Sequence, residues 1–222
     1  MTYASGIAGV QGQLASKRRL QKAVKRMLDL GGALSFLIVF APLLIGVAVL
    51  LLVAQGRPVL FKHKRIGRNG EPFECFKFRT MVNEAGRALE QHLAANPAAR
   101  REWEATQKLK DDPRVTPLGA VMRKLSVDEL PQFLNVVMGH MSLVGPRPIV
   151  SSEARLYGSH IGAYYSLRPG ITGPWQVGGR SNASYDRRVQ LDVDYASNWS
   201  IARDIGILVR TVPAVLAQDG SC

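Results

Sequence analysis

Residues 30–54, LGGALSFLIVFAPLLIGVAVLLLVA, form a run of 25 residues without a charged side chain, which predicts a membrane segment. As a straight helix it would measure roughly 37 Å, enough to cross a bilayer core of about 30 Å with some tilt. A cleaved signal peptide fits less well, because the apolar run is too long and Leu52-Val53-Ala54 makes a poor cleavage site. The simplest prediction is therefore one transmembrane helix.

Two features of this segment favour a re-entrant helix instead. Pro42 lies near the middle and removes one backbone hydrogen bond, which predicts a kink. Both flanks are basic, although basic flanks prefer the cytoplasmic side of a membrane. The flanking cations are Lys17, Arg18, Arg19, Lys22, Lys25 and Arg26 on one side and Arg57, Lys62, Lys64, Arg65 and Arg68 on the other. We expect a kinked helix that enters one leaflet and returns to the same face, with a spanning helix as the alternative.

Three charged residues precede the apolar segment within about one helical turn of each other: Lys25, Arg26 and Asp29. At the membrane edge they could bind a lipid head group, because anionic inner-leaflet lipids attract such cations. Generic snorkelling of long side chains to the interface would explain the same pattern. Both interpretations stay open at this point.

The net charge of +12 calls for an anionic partner, which could be nucleic acid, anionic lipid or a phosphorylated substrate. We predict no nucleic-acid partner, because the basic residues concentrate beside the apolar segment. Cys75 and Cys222 are far apart in sequence and predict free thiols, with neither a disulfide nor a zinc site. The four histidines share no spacing that would suggest a metal site.

The rest of the chain predicts a mostly α-helical fold with a small β-hairpin. Strands at Val59–Arg65 and Phe73–Arg79 would be joined by a tight turn at Asn69-Gly70. Helical patterns cover residues 83–110, broken near Asn96-Pro97, a helix that starts at Thr116-Pro117, and residues 128–137, 152–166, 184–196 and 200–217. We divide the chain into a flexible N-terminus (1–16), a membrane-anchoring segment (17–58) and a compact cytosolic catalytic domain (59–222).

The segment from Arg123 to Gln132 is the most informative for chemistry. Ser126 and Glu129 match a capping box, which is a purely structural explanation. Pro131 argues against it, because a proline at that position of the helix would leave one carbonyl without its donor. If the helix instead starts at Pro131, Asp128 and Glu129 lie just ahead of its N-terminus. There they could serve as nucleophile, metal ligand or base.

Two further segments could bind phosphates. Arg147 lies between two prolines, so its backbone is stiff, as a phosphate clamp requires; a solvated arginine in a rigid loop is the alternative. The glycine-rich loop from Arg168 to Arg180 could present backbone N–H groups, two arginines and Trp175 to a nucleotide. Taken alone this loop is a weak signal, and it matches neither a Walker motif nor a dinucleotide fingerprint.

Together these segments resemble the bacterial sugar transferase family, the monotopic phosphoglycosyl transferases, and most closely its short exopolysaccharide-initiating members. The resemblance extends over nearly everything from residue 17 onward. The matching segments are Lys25 to Asp29, the apolar run with Pro42, Arg65 to Gly67, Phe76 to Met81, Arg123 to Asn135, Met141 to Pro148, Arg168 to Arg180, Leu191 to Tyr195, Trp199-Ser200 and Asp204. The family often has serine before the kinking proline, whereas this chain has Ala41.

The resemblance implies a re-entrant anchor in the cytoplasmic leaflet of the bacterial inner membrane, with interfacial helices on the membrane surface. It implies that Asp128 attacks the β-phosphorus of a UDP-sugar and that undecaprenyl phosphate then accepts the phosphosugar. Glu129 would assist as metal ligand or base, with Mg²⁺ bound at both carboxylates. The arginines implied in binding phosphates or nucleotide are Arg79, Arg123, Arg147, Arg168 and Arg180. By resemblance the sugar is galactose or glucose, and a homodimer is compatible with the sequence.

Three rival interpretations remain to be separated by experiment. The first is a membrane-tethered nucleic-acid-binding protein, which the distribution of basic residues disfavours. The second is a non-catalytic scaffold of a polysaccharide assembly complex, in which Asp128 would be dispensable. The third is direct transfer of the sugar phosphate without a covalent intermediate.

Overall fold

The computed structural model describes residues 2–106, 109–178 and 184–216, which are mostly helical. The helices are α1 (Thr2–Val39), α2 (Ala41–Gln55), α3 (Ala85–Ala95), α4 (Pro97–Thr106), α5 (Pro117–Lys124), α6 (Gln132–Val137), α7 (Ser151–Ala154), α8 (Ile161–Tyr165), α9 (Pro174–Val177), α10 (Tyr185–Ser197) and α11 (Ile201–Leu216). The strands are β1 (Leu60–Ile66), β2 (Pro72–Phe78), β3 (Ser142–Val144) and β4 (Gly170–Thr172). The prediction of a mostly helical fold with a small hairpin is confirmed.

The apolar segment forms two helices that bend by 62° at Phe40. Pro42 occupies the first turn of α2, where its missing N–H costs least, so the proline starts a helix here. In the described part of the chain no single helix is long and apolar enough to cross a membrane, whereas the bent pair together passes that test of length and composition. The helix α1 already begins at Thr2, so residues 2–16 are helical where we expected irregular structure. No proline interrupts residues 2–16, which form one continuous helix with the basic segment that follows them. The flexibility of this terminus stays a prediction.

The β-hairpin forms where the sequence predicted it, with each of the four strand ends shifted by one residue. The strands β1 and β2 pair antiparallel, from Leu60 opposite Phe78 to Ile66 opposite Pro72. Asn69 and Gly70 both adopt positive φ, of 62° and 79°, which is the conformation that the Asn-Gly pair favours. We did not predict a second pair of strands from the sequence. The strands β3 and β4 pair parallel, with Ser142 opposite Gly170 and Val144 opposite Thr172.

Most predicted helix boundaries are confirmed by their caps. The break between α3 and α4 lies at Asn96, whose side chain accepts hydrogen bonds from the N–H groups of Ala98 and Ala99. Thr116 caps α5 and Ser184 caps α10, each accepting an N–H three residues later. The predicted helix over 152–166 is interrupted, because Gly158 leaves the helical region with φ of 51°. A 3₁₀ segment, Arg155–His160, therefore separates α7 from α8.

The helix pair packs into the rest of the fold rather than standing apart from it. Ala33 of α1 is fully buried against Cys75, Val136 and Met141, which come from β2, α6 and the chain before β3. Leu51 of α2 is fully buried with Phe78 and Met122. The outer faces of both helices keep large apolar side chains exposed. Residues 17–58 thus share their packing with the segment predicted to be catalytic.

Candidate active site

The two carboxylates at Asp128 and Glu129 lie on a 3₁₀ turn, Val127–Glu129, immediately before α6. Ser126 has a left-handed conformation with φ of 56°, and its side chain makes no capping hydrogen bond. The capping-box interpretation is therefore wrong. The helix α6 begins at Gln132, directly after Pro131, so the alternative that started a helix at this proline is confirmed.

Strand β2 brings a lysine to these carboxylates. The Nζ of Lys77 lies 2.6 Å from Oε1 of Glu129 and 4.0 Å from Oδ2 of Asp128. We had assigned Lys77 no role from the sequence, where the available signal was its position two residues after Cys75, on the same face of the predicted strand. The structure buries Cys75 on that face. A charged side chain on an otherwise buried face of a strand usually has a partner.

Two arginines complete the positive wall of this cleft. The Nη2 of Arg147 lies 3.8 Å from Oε1 of Glu129, and its guanidinium is 5.6 Å from the ring centre of Trp175. Arg65, from β1, lines the same cleft and donates a hydrogen bond to the carbonyl of Pro148. The glycine-rich loop contributes Gly170, Ile171 and Gln176 to the lining. Arg147, the predicted phosphate clamp, and part of the predicted glycine-rich loop therefore line one cleft together with Glu129.

The neighbouring carboxylates have different electrostatic environments. Burial raises the pKa of Asp128, which is 7% exposed, and the negative charge of Glu129 adds to the rise, while Lys77 and Arg123 oppose it. Burial would also raise the pKa of Glu129, but Lys77, Arg147 and Arg65 outweigh it and lower that pKa to about 2. Glu129 is thus the firmly ionised member of the pair, and Asp128 is the one whose charge is incompletely balanced.

The other predicted substrate arginines are dispersed. Arg123 donates to the hydroxyl of Thr80 and is near enough to Asp128 to lower its pKa. Arg79 caps the C-terminal end of α2: its guanidinium donates hydrogen bonds to the carbonyls of Gln55 and Gly56. It also donates to the side chain of Asn83. Arg168 lines a different cavity. Arg180 lies outside the described residues.

The predicted lipid-binding residues of α1 are engaged inside the protein. Lys25 contacts Asp204 at 2.7 Å and the carbonyl of Val144 at 3.1 Å. Arg26 donates to two carbonyls at the C-terminal end of α6. Asp29 accepts hydrogen bonds from the hydroxyl of Ser142 and the N–H of Leu143. These contacts fasten α1 to β3, α6 and α11 just before the apolar run begins.

A magnesium ion fits this site only in company with a substrate. Among the described residues no group of three or more His, Cys, Asp or Glu side chains could hold a metal. Magnesium is commonly held by one or two carboxylates together with phosphate oxygens and water, and Asp128 and Glu129 supply two such carboxylates. The donor set therefore suits Mg²⁺ bound jointly with a phosphorylated ligand.

Comparisons with known proteins agree with the resemblance seen in the sequence. The model of a family described as "Bacterial sugar transferase" matches residues 20–218. The exopolysaccharide production protein ExoY of Sinorhizobium fredii is 48% identical over 197 residues, 89% of this chain and 87% of that protein. The undecaprenyl-phosphate galactose phosphotransferase of Salmonella typhimurium is 44% identical over 212 residues, 96% of this chain and 44% of that protein. The UDP-glucose:undecaprenyl-phosphate glucose-1-phosphate transferase of Caulobacter vibrioides is 38% identical over 205 residues, 89% of this chain and 71% of that protein.

Proposed function

Because the chain belongs to the bacterial sugar transferase family, we propose that it transfers a hexose-1-phosphate from a UDP-sugar to undecaprenyl phosphate. The names of its relatives support this reaction class: one is a galactose phosphotransferase and another a glucose-1-phosphate transferase, both acting on undecaprenyl phosphate. The sugar is galactose or glucose, and the reaction is the first membrane step of exopolysaccharide synthesis. The relative named as an exopolysaccharide production protein matches this chain over nearly its full length.

The reaction proceeds in two displacements at phosphorus. A carboxylate oxygen of Asp128 attacks the β-phosphorus of the UDP-sugar, and the bond from that phosphorus to the bridging oxygen breaks, so that UMP leaves with the electron pair. The sugar phosphate is then esterified to Asp128. A phosphate oxygen of undecaprenyl phosphate attacks the same phosphorus, which frees the aspartate and forms undecaprenyl diphosphate sugar.

The observation that carries this proposal is the pairing of Asp128 and Glu129 with the cations of the cleft. A pyrophosphate repels an attacking carboxylate until its charge is neutralised. Lys77 and Arg147, which face Glu129, supply donors for the phosphate oxygens, and the guanidinium of Arg147 can bind them with two parallel hydrogen bonds. A magnesium ion at the carboxylates would add further neutralisation of the phosphates. Glu129 holds Lys77 beside Asp128.

The site would work at the cytoplasmic face of the inner membrane, where undecaprenyl phosphate can reach it. Exposed apolar side chains support membrane contact by α2 and α11. They are Leu43, Ile45, Val49, Leu50, Leu52 and Val53 on α2, and Ile205, Leu208, Val209 and Val212 on α11. Side chains of this kind are stable in contact with lipid, and a run of them in water is unfavourable.

Intact-mass measurement of the purified protein tests the proposal. We expect that incubation with Mg²⁺ and either UDP-galactose or UDP-glucose adds one hexose phosphate to the protein and releases an equal amount of UMP. Asp128→Asn should give neither, whereas Asp186→Asn, which changes an exposed aspartate of α10, should behave as the unchanged protein. A parallel sample with EDTA tests the magnesium requirement.

The same experiment separates the rival mechanisms. UMP released only when undecaprenyl phosphate is present, with no adduct at any time, would indicate direct transfer. A protein that forms no adduct and releases no UMP with any UDP-sugar, and whose Asp128→Asn variant still supports polysaccharide production in cells, would instead be a scaffold.

A further inference from the structure

A second cavity, of about 180 Å³, lies between the loop that joins β1 to β2 and the loop that joins α6 to β3. Its walls include Arg68, Glu71, Gly139, His140 and Arg168. None of its lining residues also lines the cleft at Glu129. The volume is far above the ~15 Å³ that a single water needs, so a group of several atoms can enter.

Positive charge accumulates around this cavity without matching carboxylates. Arg26 lies directly behind it, because a methyl group placed on Gly139 would be 3.5 Å from Nη2 of Arg26. Within the described chain Arg26, Arg68 and Arg168 form no ion pair with any carboxylate. Burial lowers the pKa of Arg168, the charges of Arg68 and Arg26 lower it further, and the smaller effect of the Asp29 carboxylate opposes them. Arg168 is therefore repelled by both of the other guanidiniums. Glu71, at the rim, offsets only part of this charge.

The arginines in this cavity keep donors available for a ligand. Arg168 uses only its Nε, which donates to the carbonyl of Gly139 at 2.8 Å, and its two terminal nitrogens make no hydrogen bond within the described residues. The side chain of Arg68 makes none there either, and it is exposed. Guanidinium groups with free terminal nitrogens bind phosphate oxygens in pairs, more strongly than neutral donors do.

The cavity is close to the level at which the apolar segment begins. Arg26 precedes Leu30 by four residues, which corresponds to an axial rise of about 6 Å along α1. The neighbouring helix α6 packs on α1 through the stacked rings of Phe36 and Phe133, 3.8 Å apart. Leu134 on α6 and Met138, the residue that follows α6, are exposed and one turn apart, and Met138 directly precedes Gly139. A polar cavity beside an exposed apolar strip suits a ligand with a charged head and a hydrocarbon tail.

We propose that this cavity binds the phosphate group of an anionic membrane phospholipid, at a site separate from the cleft at Glu129. Arg68 and Arg168 contact the phosphate, and the acyl chains run along Leu134 and Met138. The ligand lowers the repulsion among the three guanidiniums, so its binding stabilises the folded protein. This inference rests on the membrane location proposed above but not on the proposed chemistry.

Thermal unfolding of the full chain in a neutral detergent tests the site. The probes are dihexanoyl phosphatidylglycerol, dihexanoyl phosphatidylcholine and inorganic phosphate, each titrated separately. We expect the unfolding midpoint to rise with phosphatidylglycerol, and much less with the other two. Arg68→Gln should raise the apparent dissociation constant for phosphatidylglycerol by ~10-fold, because one charge-assisted contact is lost. The control Arg87→Gln removes a 71%-exposed arginine of α3, outside the cavity, and should leave that constant unchanged.

The outcomes separate the possibilities cleanly. Equal effects of Arg68→Gln and Arg87→Gln would overturn the site, because the lipid effect would then come from overall charge. An equal rise with inorganic phosphate would overturn the lipid assignment. Since Arg68→Gln leaves every hydrogen bond of the described fold in place and removes one repelling charge, its starting midpoint should be equal to or above that of the unchanged protein. A lipid shift that depends on Arg68 in a protein that forms no sugar-phosphate adduct would uphold this site while the proposed chemistry fails.

Discussion

Lys77 is the residue whose position most affects the two carboxylates, because it contacts one of them and lies beside the other. Its Nζ approaches Glu129 to 2.6 Å and Asp128 to 4.0 Å, and it lowers the pKa of both. It is also only partly exposed, which strengthens these interactions relative to those of a solvated lysine. Lys77 is therefore expected to act in the transition state, where negative charge increases on the phosphate oxygens.

We predict that Lys77→Met slows adduct formation by about 10²–10³-fold, the usual effect of removing one preorganised charge donor. Lys62→Met is the matched control: it removes a 58%-exposed lysine from β1, which pairs with Glu74 on the outer face of the hairpin. Rapid-quench measurement of UMP release compares the two variants. Equal rates in both would show that Lys77 serves only to hold Glu129.

The stability of the folded protein should depend on pH through the buried side chain of Asp192. This side chain is 1% exposed and accepts a hydrogen bond from Tyr157, and burial raises its pKa to about 6, from 3.8 for the ordinary group. Folding therefore favours the protonated form. The contribution of Asp192 to the free energy of unfolding should rise as the pH falls from 7 to 4, by about 2 kcal/mol in total.

Asp192→Asn removes this titration. The difference in unfolding midpoint between the variant and the unchanged protein should therefore vary between pH 4 and 7, as thermal unfolding in detergent can measure. Parallel pH profiles for the two proteins would contradict the raised pKa.

The candidate site could be predicted from sequence only where its residues carry local signals. Asp128 and Glu129 stood out because Pro131 fixed the start of α6, and Arg147 stood out between two prolines. Lys77 and Arg65 could not be placed, because they line the cleft at Glu129 only when the hairpin packs on a turn that comes much later in the chain. Arg79 carried no signal of its capping role at α2.

At the level of elements, a strand pair joined by a local turn could be predicted, whereas a pair formed by distant segments could not. The hairpin of β1 and β2 was predictable because the Asn-Gly turn joins neighbouring strands. The strands β3 and β4 have three residues each, too few to show alternation, and they pair across an intervening segment. Gly145 and Gly170 allow the backbones of these two segments to approach closely, because a side chain at either position would clash. A Cβ on Gly145 would lie 2.3 Å from the carbonyl oxygen of Arg168, and one on Gly170 would lie 2.1 Å from the nitrogen of Gly145.

The junction of α1 with α11 also depends on distant residues, and Asp204 is its centre. Its carboxylate pairs with Lys25 at 2.7 Å and accepts hydrogen bonds from Tyr195 at 2.5 Å and Trp199 at 3.1 Å. We predict that Asp204→Asn lowers the free energy of unfolding by about 3 kcal/mol, because Lys25, in a largely buried place, loses its nearer charge partner and keeps only Asp29, 3.8 Å away.

The control for this prediction is Asp194→Asn on α10. Asp194 also pairs with a cation, Arg203, but its side chain is 53% exposed. Exposed pairs contribute little, so we expect a change below about 1 kcal/mol. Denaturant titration in detergent gives both values. Similar losses in the two variants would mean that the junction does not depend on the buried pair.

At the scale of the whole molecule, the bent helix pair and the two basic flanks predict one topology. If the pair enters one leaflet and returns, Ser16 before α1's basic segment and Ser152 on α7 lie on the same side of the membrane. In a variant with Cys222→Ser the remaining Cys75 is buried and shielded from the reagent. A cysteine introduced at either exposed position should then be labelled only from the cytoplasmic side by an impermeant maleimide. Labelling of Ser16→Cys from the periplasmic side would demonstrate a spanning helix.

In the proposed reaction Asp128 itself carries the sugar phosphate between the two displacements. The most direct measurement is peptide mapping by mass spectrometry after rapid acid quench of the protein with Mg²⁺ and its UDP-sugar. We predict one modified site, a hexose phosphate on the side chain of Asp128, which disappears when undecaprenyl phosphate is added. A hexose phosphate found on Glu129 or any other residue, or turnover to undecaprenyl diphosphate sugar with Asp128 never modified, would contradict the account.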